Sequence, residues 1–137
     1  MNFFYCQKFV QFVFWCNERK YYEKIYYYNF VLCCCTGYWC WFTLCNSNPT
    51  YCIFRHHDNN KWFALIGTVP RSILKLSGDG DVDIINLKTN DAEFFRGVKG
   101  VLPAYHMNKN HWITVLLDGT IPLKNIQNLI EMSYKLT

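Results

Sequence analysis

Two tryptophans, Trp62 and Trp112, each stand within a few residues of cationic or titratable side chains. Arg55 and Lys61 accompany the first, and His106, Lys109 and His111 the second. An indole face attracts a cation placed over it, so such a pair joins a flat apolar surface to a positive charge. That combination suits stacking against a nucleobase or clamping an anion, with Lys61, Lys109 and His111 near loop tips where phosphate can be reached. The competing reading is a core role, with both indoles buried and Arg55 and His106 packed over them.

The elements that would position these residues are two hairpins. YCIFRH (51–56) and KWFALI (61–66) are β-prone runs separated by HDNN, a turn composition. If His56 and Lys61 close the loop, Arg55 faces Trp62 and Phe54 faces Phe63. Alternation then puts Arg55, Trp62, Ile53 and Ala64 on one face and His56, Lys61, Phe54 and Phe63 on the other. LPAYHM (102–107) and HWITVLL (111–117) form a second hairpin across Asn108-Lys109-Asn110, with Met107 opposite His111 and His106 opposite Trp112.

Around the hairpins, RSILKL (71–76) reads as one helical turn and SGDGD (77–81) as a loop, followed by a strand over VDIINLK (82–88). Asn90, with Glu93 three residues on, has the capping-box spacing for a short helix through about Val98. Pro122 suits the first turn of a last helix, whose apolar face carries Leu123, Ile126, Ile130 and Tyr134. Five mostly antiparallel strands with helices on one face make a two-layer α+β sandwich.

No catalytic kit is visible. The sequence has no Gly-rich phosphate loop, no G-x-S-x-G and no H-E-x-x-H, so no enzyme activity is expected. The acidic run Asp79-Gly-Asp-Val-Asp83 lacks the glycine and glutamate that a calcium loop needs at its sixth and twelfth positions, where Ile84 and Asn90 stand. It reads as a solvated turn. No cofactor and no metal are expected.

The chain has 137 residues, room for one domain. Its charge is mildly basic throughout: four basic against two acidic residues in 1–45, and ten against eight in 46–137. That excess neither supports nor excludes nucleic acid as a partner; local clustering has to decide. All eight cysteines lie in the first 52 residues, so the composition splits near Asn46. From Ile25 to Phe54 no side chain is charged, and the stretch Ile25–Cys45 has the length of a membrane span. It is built from Tyr, Cys and Trp, which suit an interface better than a hydrocarbon centre, so no membrane association is expected. The cysteine spacing, with Cys33, Cys34 and Cys35 adjacent and then Cys40, Cys45 and Cys52, does not form the paired ligands of a zinc site. Nor does it read as an extracellular disulfide framework, and a cytoplasmic setting is expected.

The runs FRHHDNNKWFALI (54–66), VDIINLKT (82–89), LPAYHMNKNHWITVLLDGTIP (102–122) and LIEMSYKLT (129–137) resemble the MmcQ/YjbR family of small bacterial proteins, over residues 46–137. The resemblance implies a CyaY-like, frataxin-like α+β fold and weak binding to duplex DNA, and it brings no catalytic residues; the alternative is a protein-interaction or small-ligand-binding module using a face built on Trp62 and Trp112. Arg55, Lys61, Trp62, His106, Lys109, His111 and Trp112 fall inside the matching runs. Frataxin-like iron binding needs an acidic ridge, and residues 1–45 hold only Glu18 and Glu23. Members of the family begin with a polar amphipathic helix, so residues 1–45 read as an apolar, Cys- and aromatic-rich segment in its place. Runs such as YYY, CCC and WCWF are what an AT-rich gene gives when read out of frame, with the family's reading resuming near Asn46.

Overall fold

Alternating β-branched and aromatic residues separated by Gly- and Asn-containing turns give an antiparallel sheet. A computed structural model describes residues 40–45, 48–56 and 58–137, which form one compact unit. Its strands are β1 (Cys40–Cys45), β2 (Asn48–His56), β3 (Trp62–Pro70), β4 (Asp81–Lys88), β5 (Val101–Pro103) and β6 (Trp112–Leu116). Every pairing is antiparallel, in the order β1-β2-β3-β4-β6-β5. The helices among the described residues are α1 (Ala92–Arg96) and α2 (Leu123–Lys135). This is the expected α+β architecture, enlarged by β1, which pairs with β2 from within the segment read as apolar and anomalous. The membrane-length stretch up to Trp39, the Cys33–Cys35 run, His57 and the replaced first helix lie outside the described residues.

Register and alternation sort the side chains into two faces. One carries Phe54, Ala64, Ile66, Ile85, Leu87, Ile113 and Val115, all buried. Helix α2 packs against β3 and β4 and buries Ile126, Ile130 and Ser133. Leu123 and Tyr134, expected on the same stripe, are half-buried. The other face carries a cluster of Tyr51, Val69, Val82, Ile84 and Leu116, closed over by Leu74, Leu76, Leu102 and Tyr105. Leu74 and Leu76 come from the expected helical turn after Pro70, which is held by Leu74 N–H to Arg71 O at 3.2 Å and Lys75 N–H to Ser72 O at 3.1 Å.

Three local readings need correction. First, β2 and β3 shift register between Phe54 and Arg55, so Phe54 faces Ala64 where Phe63 was expected. The bulge leaves Ala64 on the helix side together with Phe63. It also ends the β3–β4 ladder at Ala64–Leu87. The next two backbone groups take a side chain between them: Ser133 Oγ donates to Phe63 O at 2.5 Å and accepts from Lys88 N at 2.8 Å. A helix hydroxyl thus satisfies what the bulge leaves unpaired.

Second, the cap of α1 is Asp91, whose Oδ1 accepts from Phe94 N at 3.2 Å; Asn90 is exposed and one residue too early. Third, the second hairpin has Val101 opposite Val115 and Pro103 opposite Ile113. That register leaves His106 and Met107 in the loop, so the expected His106–Trp112 and Met107–His111 pairs do not form. The partner of Trp112 is Lys88 on β4.

Candidate functional site

The antiparallel order brings the start of β3, the end of β4 and the start of β6 to one end of the sheet, beside the end of β2. That end gathers Arg55, Lys61, Lys88 and Lys109. The opposite end, where β4 begins and β6 finishes, carries Asp79, Asp81, Asp83 and Asp118 together with Arg71 and Lys75. Burial pushes the Asp118 carboxyl up, but hydrogen bonds from Thr120, including its backbone N–H at 3.0 Å, outweigh it and hold the group below the usual carboxylate range. The first end also holds Asp58 at the hairpin tip and Asp91 just past β4, so basic side chains outnumber acidic ones there four to two, while at the start of β4 four aspartates stand with Arg71 and Lys75.

The β2–β3 hairpin is built as its composition suggests. His56 N–H donates to Lys61 O at 2.9 Å and Asn60 N–H to His56 O at 3.1 Å, with Asn60 in the left-handed region at φ 59°. This closure sets Arg55 opposite Trp62, and the guanidinium carbon lies 5.1 Å from the centre of the indole ring. Both side chains are half-buried, and Lys61 at the tip is exposed.

His56, on the helix side, was not among the expected site residues. It is 5% exposed. Its ring lies 3.9 Å from that of Tyr134 and 5.2 Å from that of Phe63, and Nε2 is hydrogen-bonded to the Thr137 hydroxyl. Asn59 Nδ2 donates to Thr137 O at 3.1 Å, so the hairpin tip grips the end of α2 from two sides. Burial pushes His56 below its ordinary pKa. Asp58, 3.9 Å away, and the Tyr134 carbonyl oppose that shift, while Lys61 adds to it.

The loop between β5 and β6 holds His106, Lys109 and His111, all exposed. Its anchor is a buried polar ring. Thr114 Oγ1 donates to Asn86 Oδ1 at 2.6 Å, Asn86 Nδ2 donates to Tyr105 O at 2.8 Å, and Tyr105 N–H donates to Thr114 Oγ1 at 2.8 Å. Asn86 and Thr114 have no exposed surface. Sequence reasoning passed over both, because a polar residue at an alternating strand position reads as solvent-facing. The far side of the loop is tied by Trp112 N–H to Asn108 O at 2.9 Å, by Thr89 N–H to His111 O at 2.9 Å, and by the Arg96 guanidinium to Lys109 O.

Of the seven expected site residues, Arg55 and Trp62 form a pair, and Lys61, Lys109, His106 and His111 are exposed at the same end of the sheet. Trp112 is 9% exposed and sits on the ladder as a core residue. A ligand face built on both indoles therefore lacks one of them. Among the described residues no group of His, Cys, Asp and Glu side chains is arranged to hold a metal ion. Among the same residues, no helix is long and apolar enough to cross a membrane.

The YjbR family model matches residues 40–136, from the first residue of β1 to the end of α2. The chain belongs to the YjbR family. Its relatives in that family include the uncharacterized protein YyaQ of Bacillus subtilis (strain 168), 44% identical over 91 residues, which covers 65% of this chain and 77% of that one. The uncharacterized protein YjbR of Escherichia coli (strain K12) is 43% identical over 54 residues, 37% of this chain and 46% of its own. A crystal structure of a Pseudomonas syringae protein superimposes with a TM-score of 0.72 at 41% identity, covering 80% of this chain and 96% of that one. A Deinococcus radiodurans protein shares the fold, with a TM-score of 0.58 at 24% identity. The YjbR match includes β1, which the reading of residues 46–137 had left outside.

Proposed function

We propose that this YjbR domain is a non-enzymatic binder of duplex DNA, acting weakly and without sequence preference through phosphate contacts at the basic end of its sheet. Lys61 and Lys109 supply the exposed charges, Arg55 a guanidinium oriented by Trp62, and His111 a further donor. The observation that carries the reading is the excess of basic over acidic side chains at that end of the sheet, where Arg55, Lys61, Lys88 and Lys109 outnumber Asp58 and Asp91 and favour a polyanion. Geometry adds to it. β2, β3, β4 and β6 are neighbours, and at about 4.8 Å per strand they span roughly 14 Å. At about 3.4 Å of helix-axis rise per base pair, that width corresponds to some four base pairs of duplex.

The test is titration of a labelled random-sequence duplex at several salt concentrations. Binding that weakens linearly on a log–log plot is expected. Lys61→Ala and Lys109→Ala should each lower the slope by about 0.9. Affinity that ignores salt, or no binding at low salt, would remove the proposal.

A further inference from the structure

The rings of Tyr105 and His106 lie 4.0 Å apart and only 20° from parallel. Consecutive residues on a strand point to opposite faces, so two neighbours stack only if the backbone turns between them. It does: His106 has φ 59°, a left-handed conformation that glycine adopts more easily. An imidazole is thus held where a residue without a side chain would be more comfortable.

The platform beneath it is rigid. Both backbone hydrogen-bonding groups of Tyr105 are taken by the buried Asn86–Thr114 pair, and its ring packs against the cluster of Tyr51, Val69, Val82, Ile84 and Leu116. One face of the His106 ring is covered by Tyr105, the residue is exposed, and Lys109 and His111 follow on the same loop.

We infer that His106 is a stacking site for an unpaired nucleobase of a single strand, with Lys109 and His111 beside the flanking phosphates. The inference rests on reading the basic end as a phosphate-binding surface. It adds that the surface also takes bases. A base inside a duplex is already stacked on both sides and cannot occupy the imidazole, whereas each unpaired base has a free π-face.

The test compares a thymidine single strand of about 12 nucleotides, a strand of equal phosphate count carrying abasic sites throughout, and a duplex of the same length, which carries about twice the phosphates and is read only as the ratio of variant to unaltered protein. His106→Gly suits the backbone at this position, so it removes the ring with little risk to the fold. It should lose about tenfold on the thymidine strand and less than about twofold on the duplex, while His106→Phe keeps the single-strand affinity. The abasic strand should bind the unaltered protein as weakly as the thymidine strand binds His106→Gly. Equal single-strand affinity for His106→Gly and the unaltered protein, or for abasic and thymidine strands, overturns the stacking site and leaves the phosphate reading standing. Failure to bind any probe at low salt removes both.

Discussion

Thr114 and Asn86, fully buried on neighbouring strands, meet through a 2.6 Å hydrogen bond and between them hold both backbone polar groups of Tyr105. Replacing Thr114 by Val keeps the shape and removes an oxygen that both donates and accepts, leaving Asn86 Oδ1 and Tyr105 N–H without those partners. A loss of about 2 kcal/mol in urea-unfolding stability is expected, with faster hydrogen exchange at the Tyr105 amide. An unchanged midpoint would show that the ring of bonds contributes nothing net.

Ser133→Ala should behave similarly for a different reason. The hydroxyl stands between Phe63 O and Lys88 N where the bulge interrupts the β3–β4 ladder. Its removal takes a partner from one buried and one part-buried backbone group, and a cost of about 1–3 kcal/mol is expected. Ser133→Gly, which removes the same hydroxyl but opens room for water, tests whether solvent can substitute: a smaller loss than for Ala, after allowing about 1 kcal/mol for glycine in a helix, would say that it can.

Gly67 lies directly across from Tyr51, and a Cβ there would sit 2.2 Å from two carbons of the Tyr51 ring. Tyr51 is buried in the cluster on that face and cannot swing clear. Gly67→Ala should therefore cost about 1–3 kcal/mol by overpacking. Combining it with Tyr51→Ala should remove most of the extra penalty, a coupling that a double-mutant cycle measures directly. Simple additivity would mean that the ring is not what excludes a side chain.

His56 makes stability depend on pH with a definite sign. Its folded pKa lies below the ordinary value, chiefly because burial disfavours the imidazolium. Between the folded value and about 6.5 the unfolded chain binds more protons, so unfolding free energy rises with pH across that window. The contribution is complete above about pH 6.5 and is lost as pH falls through the folded pKa. Urea melts on both sides of the window, repeated with His56→Phe, should show this component of the slope flattened by the substitution. A slope unchanged in His56→Phe would assign the effect elsewhere.

Much of the architecture was legible because its signals are local. The His56–Lys61 closure, and with it the Arg55–Trp62 pair, follows from two β-prone runs around an Asx-rich turn, and the stripe of α2 follows from its period. What escaped depends on partners distant in sequence. The bulge at Phe63 is stabilised by Ser133, 70 residues away. The second hairpin departs from its expected register because Tyr105 turns its backbone toward Thr114 and Asn86 instead of continuing the ladder. Of the candidate site, the exposed cations were readable as types, but their collection at one end of the sheet needed the strand order. β1 was obscured by its setting, since CWFTLC continues an uncharged cysteine-rich run with nothing local to mark where the sheet begins.

Among the described residues, the two outer strands of the sheet differ in what they offer a further strand. β5 is three residues long and finishes in Pro103, which has no N–H to offer a newcomer, so growth by addition of another strand stops there. β1 is six residues long and contains neither proline nor charge. Among the described residues β1 is thus the outer strand with a backbone N–H at every position, and a single lysine or proline placed in it is the change that would blunt that edge.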